Sequence, residues 1–553
     1  MPGTRRGAGT DRAPEERRPW RLARARWAVA ILASVAAAAA GAWFARAPVA
    51  RSLARRHFSK AERMLAQGEE RSAASELALT LDGDPLHQRA RRLLGELHLR
   101  DHQIERAFLE LQSYTDAFPE DPEGWSDLAE VRLHASQLEQ AEAALTNAVD
   151  RAQERADLRL RRADLRSRIG RYHGAVIDAQ AVLRHDPGSV AARAILTSAS
   201  ARLDAGDCGP AKVQPPGAEA TAWPGRLGEL MREFAAANRS NSWAAAGALA
   251  AGASRDYPDT MLGPWLDGVS SLTMGDLDRA ERSFREALAF SPRSHRPIGN
   301  LVALWARQRG PGYAGDQLVR MVDRDPAFAY PLPIAAAAYL EESQPTRAEA
   351  TIRRMFRVLP ASPVPFREVA RFLVQLDRAS DAIATAAEGL VRFPTDPDLL
   401  REQARGYLRL GDREAALRSW ESALSARPDD DAAAAQLARL LITARKDALG
   451  RQRALQLVRV LECDAPSDPD VLGAVGLVLL EAANDAARAR RWLEAARDRA
   501  PESPQLRFEL ALAYVRVQDA AGARRELQEA IRSGRTFDEE PEARRLLHEL
   551  EGR

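Results

Sequence analysis

The stretch "ALRSWESALSARPDD", residues 416–430, decides the fold. Small residues stand at Ala416 and Ala423, a large ring at Trp420 lies between them, and Pro428 follows Ala416 at an offset of 12. Spacings of four and three put Ala416, Trp420 and Ala423 on one face of a helix. Small side chains at a helix crossing let two backbones approach, and the indole fills the remaining space to interior density. Proline lacks an N–H and cannot sit inside a helix, so Pro428 marks its end.

The phrase recurs. Pro258, Pro292, Pro326, Pro360, Pro394 and Pro428 are each 34 residues apart. Pro85 and Pro119 keep the same interval, Pro187 lies two periods on, and Pro466 and Pro501 continue with small insertions. The upstream residues repeat too: Ala280, Phe284, Ala287; Ala314, Leu318, Met321; Ala348, Ile352, Met355; Ala382, Ala386, Gly389. Twelve residues before the first small position stands another, Ala404 before Ala416, Gly268 before Ala280 and Gly95 before Ala107. An aromatic residue often follows it, as in Tyr339, Tyr407 and Tyr514. A fixed period of this length signals helical hairpins that cannot cover their apolar faces alone and stack to do so.

The pattern resembles the tetratricopeptide repeat. Its W-x2-L-G-x2-Y, A-x3-F and P positions are occupied by Trp125, Leu128 and Ala129 in one unit, and by Leu400, Ala404, Tyr407, Ala416, Trp420 and Pro428 in another. The match runs over roughly residues 54–537. Departures are a missing second helix in unit 190–223, four extra residues in unit 431–468, and "RQRGPGYAG" in the turn of unit 295–328. The resemblance implies an all-α fold, a right-handed α-solenoid of hairpins. The Gly/Pro-rich residues 208–224 read as a linker between an N-terminal array, 46–207, and a C-terminal one, 225–537. The polar segment 538–553 reads as a capping helix.

Composition agrees with helices. The 553 residues exceed one compact core. They are 45% hydrophobic but only 6% aromatic, with alanine prominent, which suits close-packed helices more than sheets. A formal net charge of +2 gives no reason to expect nucleic acid. Cys208 and Cys463 form no CxxC pair and read as two unpaired, structurally incidental thiols.

One further element precedes the repeats. "WAVAILASVAAAAAGAWFA", residues 27–45, holds no charge in 19 residues, and at ~1.5 Å per residue it matches one hydrocarbon core. Trp27 and Trp43 stand near its ends, where indoles favour the interface. Eight arginines precede it and five cations follow closely, Arg46, Arg51, Arg55, Arg56 and Lys60. That bias places residues 1–26, a basic disordered tail, in the cytoplasm and the arrays outside it. The reading is an uncleaved transmembrane helix; a cleaved signal peptide ending near Ala42 or Ala47 and a peripheral helix are the alternatives.

No catalytic constellation accompanies the repeats: there is no GxxxxGK, HExxH or GxSxG. No catalytic, cofactor or metal residue is expected. His98 and His102 are four apart and could share a helix face, yet His98 holds the repeat's buried aromatic position and His102 falls in a turn. Acidic runs such as "RPDDD" read as solvated turns. Asn238-Arg-Ser240 matches a glycosylation sequon, improbable in a chain of bacterial look.

Function is expected on the concave face made by first helices. By analogy with the family, its groove positions hold Arg367, Arg371, Arg401, Arg405 and Arg409, which could bind carboxylates, or pair with Glu368, Glu402 and their neighbours. In unit 261–294 they hold an apolar set, Leu262, Trp265, Val269 and Leu272. The resemblance suggests a non-enzymatic, membrane-anchored scaffold for proteins or peptides of a bacterial envelope complex, periplasmic and possible in exopolysaccharide export. Direct binding of an anionic polysaccharide by the arginine-lined groove is the alternative.

Overall fold

A computed structural model describes residues 49–205, 223–444, 447–464, 468–535, 537 and 539–551. Among these there is helix and turn but no strand. The expected membrane helix, 27–45, and most of the expected linker lie outside the described residues. Among the described residues no helix is long and apolar enough to cross a membrane. The chain divides into two compact units, Met1–Ala90 and Arg91–Arg553.

In the first unit a helix over 49–66 and the helix Glu70–Gly83 form a hairpin. In the second, hairpins follow one another. Pro122–His134 pairs with Leu138–Arg151, Leu262–Met274 with Leu277–Phe290, Pro397–Leu410 with Arg413–Ala426, and Pro504–Arg516 with Ala520–Arg532. First helices also touch the next hairpin's first helix, as Val364–Gln375 touches Pro397–Leu410.

The turn inside most of the hairpins is built the same way. The first helix ends on a residue of positive φ: His102 (57°), Ser136 (58°), Gly170 (85°), Gly275 (86°), Ser343 (59°), Asp377 (57°) and Gly411 (80°). The next N–H then reaches back five residues, Asp412 N to Tyr407 O at 3.0 Å and Gln137 N to Arg132 O at 2.8 Å. This closes the orphan carbonyls of the last turn. The residue after the turn begins the second helix, and where it is aspartate it also caps it. Asp412 accepts from Ala415 N at 3.0 Å, Asp276 from Arg279 N at 3.1 Å and Asp519 from Gly522 N at 2.8 Å. One dipeptide therefore stops one helix and starts the next. Between hairpins, Asp396 caps Pro397–Leu410 through Leu399 N at 2.8 Å, with proline in the first turn.

The opening phrase packs as its spacing predicts. Trp420 is 2% exposed and shares one core with Ala404, Ala416, Leu417 and residues of the following hairpins. The earlier small residue faces the large one across the hairpin. A Cβ on Gly268 would lie 2.5 Å from the Phe284 ring, so nothing larger than glycine fits there. In unit 295–328 the stretch "RQRGPGYAG" leaves a one-residue turn at Gly310. The extra residues of unit 431–468 appear as a longer second helix, Ala448–Asp464, of 17 residues.

Two expectations are corrected. Cys463 is disulfide-bonded rather than a free thiol, and Cys208, the chain's other cysteine, lies outside the described residues. The acidic turn after Pro428 is not solvated: Asp430 is 6% exposed and the Asp429 side chain 10%.

Candidate functional site

The five groove arginines sit on two adjacent first helices, Val364–Gln375 and Pro397–Leu410. Four are already engaged. Arg367 binds Asp396 at 2.6 Å and Asp398 at 2.9 Å; Arg401 binds Asp398 at 2.6 Å and Asp430 at 2.9 Å. Arg371 binds Glu368 and Glu402 at 3.0 Å each, and Arg405 reaches Glu402 at 2.7 Å. A pairing about one repeat long thus steps from helix to helix. Burial alone would raise the Asp398 carboxyl, but Arg401, Arg367 and Arg427 bring it below the usual carboxylate range. Arg371 and Arg405 stay 42% and 47% exposed. Arg409 is exposed and has no ion pair or hydrogen bond among the described residues.

The apolar set falls elsewhere. Leu262 is fully buried, in a core with Phe108, Leu111, Leu128, Trp223 and Leu227, and Trp265 and Val269 pack against that core. Leu272 packs against the neighbouring core of Phe284 and Leu301. Leu262 is therefore a core residue and presents nothing to a partner. The helices Ile104–Ala117 and Pro122–His134 cover that end of the later hairpins. Trp265 remains half-buried; its indole N–H donates to Asn300 Oδ1 at 2.8 Å and its ring stacks on Trp223 at 5.9 Å. The Arg296 guanidinium lies 4.1 Å from the Trp223 ring centroid. Sequence spacing missed Trp223 and Arg296; an aromatic residue closing a Gly/Pro-rich stretch was the available signal.

A second contact ties early hairpins to late ones. Arg162 clasps Asp178 with two bonds of 2.7 and 2.6 Å. Arg166 binds Glu142 at 2.7 Å, Asp178 at 3.1 Å and Asp429 at 2.8 Å. Arg171 closes the set on Glu142 at 2.8 Å. The side chains of Arg162 and Asp178 are 2% and 0% exposed. Burial would raise the Asp429 and Glu142 carboxyls, yet the facing arginines lower both below the usual range. Between other hairpins, Ser291 Oγ donates to Ser113 Oγ at 2.9 Å and Arg293 to the Ala117 carbonyl at 2.9 Å. Hairpins on either side of residues 206–222 thus belong to one packed unit.

An open pocket of about 430 Å³ lies among early first helices, lined by Arg92, Glu96, Asp127, Glu130 and His134. Burial pushes the Asp127 carboxyl up to about 6, although Arg92 binds it at 2.6 Å. His102 holds the positive-φ turn beside it. His98 is pushed down to about 4 by burial, with Arg106 adding to the effect. Among the described residues no group of three His, Cys, Asp or Glu side chains could hold a metal ion.

No family model and no curated protein matches the chain. Solved structures do. Naa15/Naa10 bound to HypK-THB is 13% identical over 90% of this chain and 96% of that one, with a TM-score of 0.34. Yeast Tom70 is 14% identical over 84% and 96%, TM-score 0.30. A tetratricopeptide repeat protein from Parabacteroides merdae is 16% identical over 44% and 95%, TM-score 0.32.

Proposed function

We propose that this chain is a non-catalytic scaffold of tetratricopeptide-like hairpins that gathers proteins or peptides of a bacterial envelope complex. The observation that carries the reading is the repeat itself: hairpin after hairpin with the same turn, whose first helices lie side by side and present half-exposed charged residues. Such arrays trade a single deep cleft for an extended surface. The open pocket among Arg92, Asp127 and Glu130 is one place for a peptide side chain to enter.

Anchoring in the inner membrane through residues 27–45, with the hairpins in the periplasm, completes the proposal. The uncharged run and the arginine bias before it support the anchor. The disulfide at Cys463 supports an oxidising compartment, where such bonds persist. Crosslinking in whole cells followed by mass spectrometry tests the scaffold reading; a chain that yields no protein adducts from its first helices ends it. Alkaline phosphatase fused after residue 553 tests topology and is active only if that end leaves the cytoplasm.

Anionic polysaccharide remains a second reading, favoured by exposed Arg409 and half-exposed Arg371 and Arg405. It asks these arginines to exchange Glu368 and Glu402 for a sugar acid. Glycan capture that survives Arg371→Glu with Arg405→Glu removes it.

A further inference from the structure

Arg296 lies half-buried near the start of the helix His295–Arg309. Its guanidinium is 4.1 Å from the Trp223 ring centroid and 5.9 Å from that of Trp265. It makes no hydrogen bond or ion pair among the described residues. Other inward arginines are matched. Arg293 binds Asp325 at 2.7 Å and donates to the Ala117 carbonyl, while Arg162 and Arg166 bind Asp178. A ring attracts a guanidinium charge but offers no lone pair to its N–H donors. Taking a cation out of water without an anion to meet it is costly.

A second cation stands close by. Phe108, Trp223 and Trp265 form an aromatic run, with ring centroids 5.6 Å and 5.9 Å apart. Arg132 lies 4.5 Å from the Phe108 centroid and donates to Gln137 Oε1 at 2.7 Å. The acid whose charge reaches Arg296 is Asp116, and its carboxylate already accepts from Ser294 Oγ at 3.0 Å and Gln112 Nε2 at 3.2 Å. Burial lowers the Arg296 pKa against the pull of Asp116, and burial together with the Arg296 charge brings Arg132 down to about 10. Asn300 stands one turn along the same helix face from Arg296. Its Oδ1 takes the Trp265 indole N–H at 2.8 Å, so the other end of the amide is a further donor.

We infer that Arg296, with the Asn300 amide and the neighbouring Arg132 charge, seats an oxyanion, the carboxylate or phosphate group that a guanidinium edge holds through paired N–H bonds. The seat joins two parts of the chain. Arg132 belongs to the early helix Pro122–His134 and Arg296 to the late helix His295–Arg309, and the buried rings of Phe108 and Trp223 run between them. An anion offsets both cations at once, so its binding steadies early and late hairpins together. The oxyanion comes from an acidic side chain of a bound peptide or from a small free ion; the chemistry of the seat is the same for both. The inference rests on neither the scaffold nor the membrane reading.

The test is hydrogen exchange on the full chain in detergent micelles at fixed ionic strength. Sodium chloride is replaced stepwise by sodium acetate or sodium phosphate, and in separate arms a capped Ala-Glu-Ala or Ala-Gln-Ala peptide is added. Exchange over residues 104–134 and 295–309 should slow along a saturating curve, by about ten-fold once the anion stands at ten times its Kd. Chloride and the glutamine peptide should do nothing. Arg296→Gln should slow by less than about two-fold in the same titration. Each protein is compared with itself, so a variant weakened from the outset still reports. Arg296→Lys keeps the charge without the fork and should bind more weakly than the parent. Slowing by the glutamate peptide at lower concentration than acetate supports the seat with a partner's acidic side chain as its source; equal action supports it with a small ion. Equal slowing in the parent and Arg296→Gln overturns the inference, as does a parent that responds to no anion. A response seen only after Glu219→Gln, four residues before Trp223 in the sequence, overturns it in favour of the chain's own carboxylate.

Discussion

Two clusters of arginine and carboxylate use the same chemistry at opposite depths. In the seam, Arg162, Arg166, Glu142 and Asp178 are all less than a tenth exposed. In the groove ladder, Arg371 and Arg405 are nearly half exposed around Glu402. Buried charges lose their hydration, so each is committed to its partner, and removing one member leaves a bare charge in a poorly solvated place. Exposed pairs lose little when broken because water replaces the partner. The seam is therefore structural, whereas the ladder holds charges that a binding partner can compete for.

Breaking the seam gives the largest expected effect. Asp178→Ala takes from Arg162 its two-bond partner and from Arg166 one of its three carboxylates, and should destabilise the hairpins around residues 156–185 by about 3–5 kcal/mol, read by denaturant titration with hydrogen exchange. A loss under about 1 kcal/mol would mean the seam is as wet as the ladder. Asp429→Asn leaves Asp178 in place and should cost about 1–3 kcal/mol; the loss should appear as faster exchange on both sides of the contact. Arg405→Gln should cost about 0–1 kcal/mol. Salt should weaken the ladder and leave the seam nearly unchanged.

Acid sharpens the same contrast. The folded Asp429 and Glu142 carboxyls lie below their unfolded values. Their contribution is complete above roughly pH 4.5 and is lost as pH falls below it. His98 acts earlier. Its folded value, about 4, lies below the unfolded one, so its stability is present above about pH 6.5 and declines toward pH 4. Asp127, raised to about 6, has the opposite sign over much of that window. Only the difference between the parent and His98→Leu isolates the histidine, and the variant should show the flatter decline between those limits.

The period was legible because it is written in residues with few substitutes. Proline after most second helices, small residues at crossings and a ring opposite them survive in Ala404, Trp420 and Pro428. The turns were less so: His102, Ser136 and Gln518 take the same positive φ as Gly411 with side chains that do not announce it. The seam was invisible. Arg162 and Arg166 read as ordinary helix charges, and Asp429 lies 263 residues from Arg166 along the chain. The acidic run holding Asp429 looked like a solvated turn, although Asp430 both caps a helix through Ala433 N at 2.9 Å and pairs with Arg401. Leu262 was misplaced for a related reason: repeat position tells which face a residue takes, but not that another hairpin of the same chain already lies there.

A contact 263 residues long changes the order in which this molecule can assemble. Hairpins meet their neighbours quickly, since those partners are a few dozen residues away, and an ordinary repeat array can nucleate anywhere. Arg166 and Asp429 can meet only after the intervening hairpins have condensed, because the entropy of closing so long a loop must otherwise be overcome in one step. The seam is thus expected to close late in refolding, after the hairpins between its two halves. A chain stalled short of that bond leaves Arg162 and Arg166 without one of their three carboxylates.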